Sequence, residues 1–207
     1  MGENHQHKII PIAKFFEKGL HFSCQMCGDC CRGLGEGEVY LYAEDIKCLA
    51  EHLGYSLDEE GLRTFAEKYL KIADDVFYWK DPKRRGRKKK FLIKTLAFRF
   101  TGEDAHCEFL SEDNACTVHE ARPFQCRSFP FWQMMVSSEK NLRDYAKKCP
   151  GLKKTLKGEG KFYKKEEIVE WALKEQKVEL EYFLKLKAHN FDIFQVYPFL
   201  AHSKYFC

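Results

Sequence analysis

Four cysteines stand within eight residues, Cys24, Cys27, Cys30 and Cys31, in the run CQMCGDCC. The chain has 10 cysteines in 207 residues, so a window of that size should hold about 0.4. Thiols gathered this densely point to metal ligation. A C-x-x-C turn lets two thiolates converge on one ion, with backbone N–H groups aimed at the sulfurs. A third cysteine three residues on extends the wrap. Three ligands at this spacing plus a remote fourth suit a [4Fe–4S] cluster. A Zn²⁺ site takes four ligands in a tetrahedron, often two from each of two segments. Cys30 and Cys31 are neighbours, with Cα atoms ~3.8 Å apart, too close for an unstrained disulfide. Their side chains are expected to point apart, toward two ions or with one supporting the other.

A second group places Cys107, Cys116, His119 and Cys126 within 20 residues. Cys116 and His119 repeat the two-residue gap, with an imidazole in the second place. Cys149, followed by Pro150, adds an eighth thiol, and a proline after the last ligand is also a ferredoxin habit. The candidate ligands are these eight cysteines, with His119 a secondary one. Arg32, Arg127 and Lys148 each adjoin a cysteine, and nearby cations favour thiolate over thiol. Arg122 and Arg127 are the candidates for support around the ligands. Phe124, Phe129, Phe131 and Trp132 supply an apolar shell that limits water. Cys48 and Cys207 are set aside as ligands, His21 and His106 as incidental, and His5 and His7 as parts of an N-terminal arm. The stretch Gly33 to Gly37 lacks the preceding strand and following helix of a phosphate-binding loop.

The elements that must position these residues are short. Val39 to Tyr42 predicts a strand. Ile46, Leu49, Ala50 and Leu53 recur at helical spacing, and Gly54 stands where a C-cap belongs. Ser56 with Glu59 predicts a capping box opening a second helix, whose stripe is Leu62, Phe65, Ala66, Tyr69 and Leu70. Val76–Trp79 and Phe91–Phe100 predict strands joined by the loop DPKRRGRKKK, residues 81–90. Residues 165–187 give the longest helix, with Ile168, Ala172, Leu180, Phe183 and Leu184 along one face. The class is α+β: a small metal-centred domain of short strands and helices with a C-terminal helical extension. The expected division is an N-terminal arm over 1–21, a cysteine-cluster domain over 22–152, and the extension over 153–207.

Composition narrows the partners. Hydrophobic residues make up 44% and aromatics 15%, which excludes a disordered chain. Net charge is +4, from 35 basic and 31 acidic residues, and names no polyanionic partner. No run approaches the ~20 apolar residues of a membrane span, and no stretch reads as a secretory signal. The expected compartment is the cytoplasm, where thiols stay reduced, with no membrane partner. One local exception stands out: Lys83, Arg84, Arg85, Arg87, Lys88, Lys89 and Lys90, seven cations in eight residues. Phosphates would feel this field. No aromatic residue is interleaved in the run, which weakens a single-strand reading. A solvated hairpin tip is the preferred reading, and nucleic acid is the weaker partner.

The chain resembles the YkgJ-like cysteine-cluster family, described as the CxxCxxCC putative zinc- or iron-chelating domain. The resemblance rests on C-x-x-C-G-x-C-C, from Cys24 to Cys31 with Gly28. It rests equally on C-x-x-H-x-x-R-P-x-x-C-R-x-F-P, here Cys116, His119, Arg122, Pro123, Cys126, Arg127, Phe129 and Pro130. Cys107, Cys149-Pro150-Gly151 and Tyr42-Ala43-Glu44-Asp45-Ile46 also fit. The family implies a bound iron–sulfur cluster or zinc and leaves the choice open. Three function classes follow: a metal-binding protein, a metal-dependent enzyme akin to the larger flagellin lysine N-methylase of the same family, or a structural-zinc module that binds nucleic acid or protein through residues 83–90. No methyl-donor site or acid–base pair is legible, so enzymatic activity is left open.

Overall fold

Glycine, proline and capping acids punctuate this chain into short elements. In chain order these are β1 (Leu20–Phe22), β2 (Tyr40–Leu41), α1 (Ala43–His52), α2 (Glu59–Tyr69), β3 (Leu70–Trp79), β4 (Lys89–Phe98), β5 (Phe100–Thr101) and β6 (His106–Cys107). Then follow α3 (Phe124–Ser128), α4 (Gln133–Val136), α5 (Glu139–Ala146), α6 (Pro150–Thr155), β7 (Lys161–Tyr163), α7 (Lys165–Ala188) and α8 (Ile193–Val196). The computed structural model describes residues 10–35, 37–83, 85–102 and 105–206. His5, His7, Glu36, Arg84 and Cys207 lie outside them. The class is α+β, and among the described residues no helix is long and apolar enough to cross a membrane.

Two compact units form, each from two distant segments: residues 1–27 with 128–177, and residues 28–127 with 178–207. In the first unit β1 pairs antiparallel with β7, Leu20 opposite Tyr163. Its core is Ile10, Phe16, Leu20 and Phe22 against Phe131, Met135, Leu142, Leu152, Ile168 and Ala172. The stretch expected as an arm, residues 1–21, thus contributes three core side chains, Ile10, Phe16 and Leu20. Its apolar residues are too few and too irregularly spaced to show a period.

The second unit carries a three-stranded antiparallel sheet in the order β2-β4-β3. β3 and β4 pair over ten residues, from Leu70 opposite Phe98 to Trp79 opposite Lys89. β3 therefore starts six residues before the expected strand, because Asp74 and Asp75 hide the alternation in its first half. β4 takes up Lys89 and Lys90 from the expected loop, and Phe100 falls into the separate strand β5. Helix α2 is capped by Asp58 rather than Ser56. Asp58 Oδ1 accepts from Gly61 N at 2.8 Å, and Ser56 Oγ donates to that same oxygen at 2.8 Å.

Helix α7 belongs to the first unit up to Lys177 and to the second from Val178. It buries Ile168 and Ala172 in one and Tyr182, Phe183 and Leu186 in the other. Leu180 and Leu184, expected on the buried stripe, are 37% and 43% exposed. At 3.6 residues per turn Leu180 and Leu184 fall roughly 120–160° round the helix from Ile168, whereas Phe183 and Leu186 return to its side. Phe183 stacks on Phe77 at 4.5 Å and meets Phe91 at 5.1 Å and Trp79 at 5.5 Å, fixing the inner face of the β3–β4 hairpin.

Candidate metal centre

The first unit holds Cys24, Cys27 and Cys149. Met26, at φ +48°, turns its N–H to Cys24 Sγ at 3.4 Å, the contact expected of a C-x-x-C turn. Cys149 is the N-cap of α6, with Pro150 at the first helical position, where a missing N–H costs nothing. α6 lies tight on the strand before the cysteine run: a Cβ at Gly151 would come 2.9 Å from Ser23 O and 3.1 Å from Phe22 Cε2. Lys154 Nζ donates to Gln25 Oε1 at 2.6 Å, and Lys161 N to Ser23 Oγ at 3.0 Å. These contacts seat α6, the helix that Cys149 caps, against the residues flanking Cys24. Phe129 and Phe131 pack on Phe22, 5.8 and 6.4 Å between rings, as an apolar backing to this group.

The second unit holds Cys30, Cys31, Cys107, Cys116 and Cys126. Cys30 and Cys31 lie in a 3₁₀ turn, Asp29–Gly35, opened by Gly28 at φ +76°. A Cβ at Gly28 would meet Arg32 Nη1 at 2.8 Å, Leu110 Cδ1 at 3.0 Å and Asn114 Cβ at 3.2 Å. Arg32 Nη2 donates to Asn114 Oδ1 at 2.7 Å. The turn is thereby clasped to the loop that follows β6. That loop doubles back at Asn114 (φ +62°), with Leu110 bridging Cys116 and Thr117 N donating to Phe109 O at 2.9 Å. Cys107 ends β6 opposite Phe100. Cys126 sits in α3, a short helix after the Arg122-Pro123 bend.

Asp45 and Gln125 position α3. Asp45 is 5% exposed. Its Oδ1 accepts from Phe124 N at 2.7 Å and its Oδ2 from Tyr42 N at 3.2 Å. Gln125 bonds both Tyr40 N, at 2.8 Å, and Glu38 O, at 2.9 Å. Gln125 did not stand out in the sequence, and Asp45 did so only within the Tyr42–Ile46 stretch of the family pattern, with no role. An acid near a helix start signals Asp45, whereas nothing local signals Gln125. Arg127 Nη2 lies 3.9 Å from Asp45 Oδ1. Arg122 Nε donates to His119 O at 3.0 Å, and its charge favours the Cys126 thiolate.

His119 turns its ring to Glu120 Oε1 at 3.2 Å, with the side chain 42% exposed. Cys30 and Cys31, expected to diverge, instead place their sulfurs 3.9 Å apart, in contact but unbonded. That hydrogen bond, ahead of burial, holds the Cys30 thiol far above its usual range. Burial pushes the Cys107 thiol up to about 11 and that of Cys126 well up. Both also feel the charges of Cys30 and Cys116. Cys48, set aside as a ligand, is exposed on α1. Lys83, Arg85, Arg87 and Lys88 are exposed at the end of the β3–β4 hairpin, and Lys89 and Lys90 are exposed in β4.

Among the described residues, no three His, Cys, Asp or Glu side chains converge closely enough to hold an ion as they stand. The donor chemistry of the second unit fits one nonetheless. Its four thiols Cys30, Cys107, Cys116 and Cys126 sense one another's charge, and thiolates brought together are stabilised by a cation. No solved structure matches the chain. The family description "CxxCxxCC: Putative zinc- or iron-chelating domain" matches residues 23–150, a span that includes every candidate cysteine ligand and more than half the sequence. The chain belongs to this zinc- or iron-chelating CxxCxxCC family.

Proposed function

We propose that this protein chelates zinc or iron through a separate thiolate group in each unit. Cys30, Cys107, Cys116 and Cys126 form the four-ligand set of the second unit, and Cys24, Cys27 and Cys149 form a three-thiol set in the first. The observation that carries this reading is the clasp of the Gly28–Arg32 turn onto Leu110 and Asn114. It brings Cys30, more than 70 residues away in sequence, beside the Cys107–Cys116 loop. Four protein thiolates complete the coordination of a tetrahedral ion, the form of a holding site. Three leave a position for a further donor. Arg122 favours thiolate at Cys126, and Asp45 holds the segment that carries Cys126. When bound, the metal supplies positive charge that keeps these sulfurs ionised. Cys31 supports Cys30 through the 3.9 Å contact.

Iron, zinc and acid-labile sulfide are measured on protein purified without oxygen, for wild type and four variants. Cys107→Ser and Cys126→Ser are each expected to lose the metal of the second unit and keep that of the first. Cys24→Ser should do the reverse, and Cys48→Ser should lose nothing. Iron matched by sulfide identifies a cluster, and zinc without sulfide a mononuclear site. Wild-type metal content in both Cys107→Ser and Cys126→Ser would overturn the assignment.

A further inference from the structure

The β3–β4 hairpin has a second face that the thiolate groups do not use. Residues directly opposite in an antiparallel pair share a face. The inner face, with Phe77, Trp79 and Phe91, packs on Phe183. The outer face carries the pairs Val76 with Leu92 and Tyr78 with Lys90, then Lys80 and Lys88 just beyond the paired strands. β2 pairs with β4 only at Leu96 and Ala97, so among the described residues the distal half is a bare two-stranded ribbon. Tyr78 is 58% exposed and Leu92 69%. Among the described residues Lys83, Arg85, Arg87, Lys88, Lys89 and Lys90 make no ion pair. Asp74, the outer-face acid, is already paired with Lys94 at 2.6 Å. A stacking ring flanked by unneutralised cations is thus assembled across two strands. The basic run supplies the charge, and the opposite strand supplies the aromatic residue that the run itself lacks.

We infer that the outer face of this hairpin binds single-stranded nucleic acid, with a base stacked on Tyr78 and phosphates on Lys80, Arg85, Arg87, Lys88 and Lys90. Three features choose this occupant. The charge is complementary to a phosphate chain. The exposed ring suits an unpaired base, whose π-face is free, and not a duplex, whose bases are already stacked on each other. The leading end of the hairpin, residues 83–90, bears no apolar side chain to enter a bilayer, and the apolar pair Val76 and Leu92 lies behind the cations.

The test is fluorescence anisotropy of the full chain with labelled 12-nucleotide single strands, RNA and DNA, across salt concentrations. The logarithm of the binding constant should fall with the logarithm of salt at a slope of about −3 or steeper, from ~0.7 for each of five phosphate contacts. Tyr78→Ala should weaken binding on the order of tenfold at fixed salt and leave that slope unchanged. Tyr78→Phe, which keeps the ring, should bind like wild type. Lys88→Gln with Lys90→Gln should flatten the slope by about 1.4. Tyr78 is largely in solvent, so circular dichroism of Tyr78→Ala should match wild type. Three results would each overturn the proposal: equal affinity of Tyr78→Ala and wild type, tighter binding of a 12-base-pair duplex than of the single strand, or binding to phosphatidylserine–phosphatidylcholine vesicles without binding to either single strand.

Discussion

Asp45 shows how a single buried carboxylate sets the site. It accepts two backbone N–H groups, from Tyr42 at the helix start and from Phe124, 79 residues beyond Asp45 and two before Cys126. Burial raises its pKa against the pull of both bonds and of Arg127. A carboxyl whose folded pKa is raised opposes folding in its ionised form. That opposition is absent below the unfolded value of about 4 and builds as pH rises through the folded value. Asp45→Asn removes the titration and offers only one acceptor oxygen, so a buried N–H loses its partner. The expected cost is about 1–3 kcal/mol at neutral pH. The gap to wild type should widen as pH falls from 7 toward 5, measured by urea unfolding at both values. A narrowing gap would show that the three partners favour the carboxylate more than burial opposes it. At this scale the thiols were legible, since cysteine spacing is a local signal. Asp45, Gln125 and Asn114 were not, because their partners lie 79, 85 and 82 residues away.

Elements form where local chemistry and packing agree, and α2 shows which local signal wins. Ser56 and Glu59 have the spacing of a capping box, yet Asp58 takes the cap, and Ser56 Oγ bonds that carboxylate instead. Asp58→Ala should therefore lower stability, and Ser56→Ala clearly less, by urea unfolding. Equal losses, or a larger one at Ser56, would return the cap to the serine. β3 illustrates the converse. Its first half is extended because it pairs with Ile93–Phe98 of β4, a partner that no alternation within Leu70–Asp75 announces.

In the whole molecule, the candidate ligands of the second unit sit in its least regular part. Between β6 and α3 the chain has only turns, one isolated bridge and a single 3₁₀ turn, whereas β3 and β4 share ten paired positions. A bound metal is then expected to stabilise the first region far more than the second. Hydrogen exchange before and after chelation should show amides of residues 107–126 losing protection while those of β3 and β4 keep theirs. Uniform loss would place the metal's contribution in the whole fold instead. Sequence alone determined the α+β class, the long C-terminal helix, the hairpin with its basic end, and the cysteine family itself. Each of these is written in spacing over a few residues: thiols at fixed gaps, apolar positions at helical period, and glycine and proline at the turns. Tertiary structure alone decided the rest. It divided the CxxCxxCC run between two units, Cys24 and Cys27 in one and Cys30 and Cys31 in the other. It gave one helix a part in two cores, and it set Tyr78 across from Lys90. These outcomes depend on which apolar surfaces meet and which strands pair. Contacts between residues tens of positions apart leave no periodic trace in the chain that makes them.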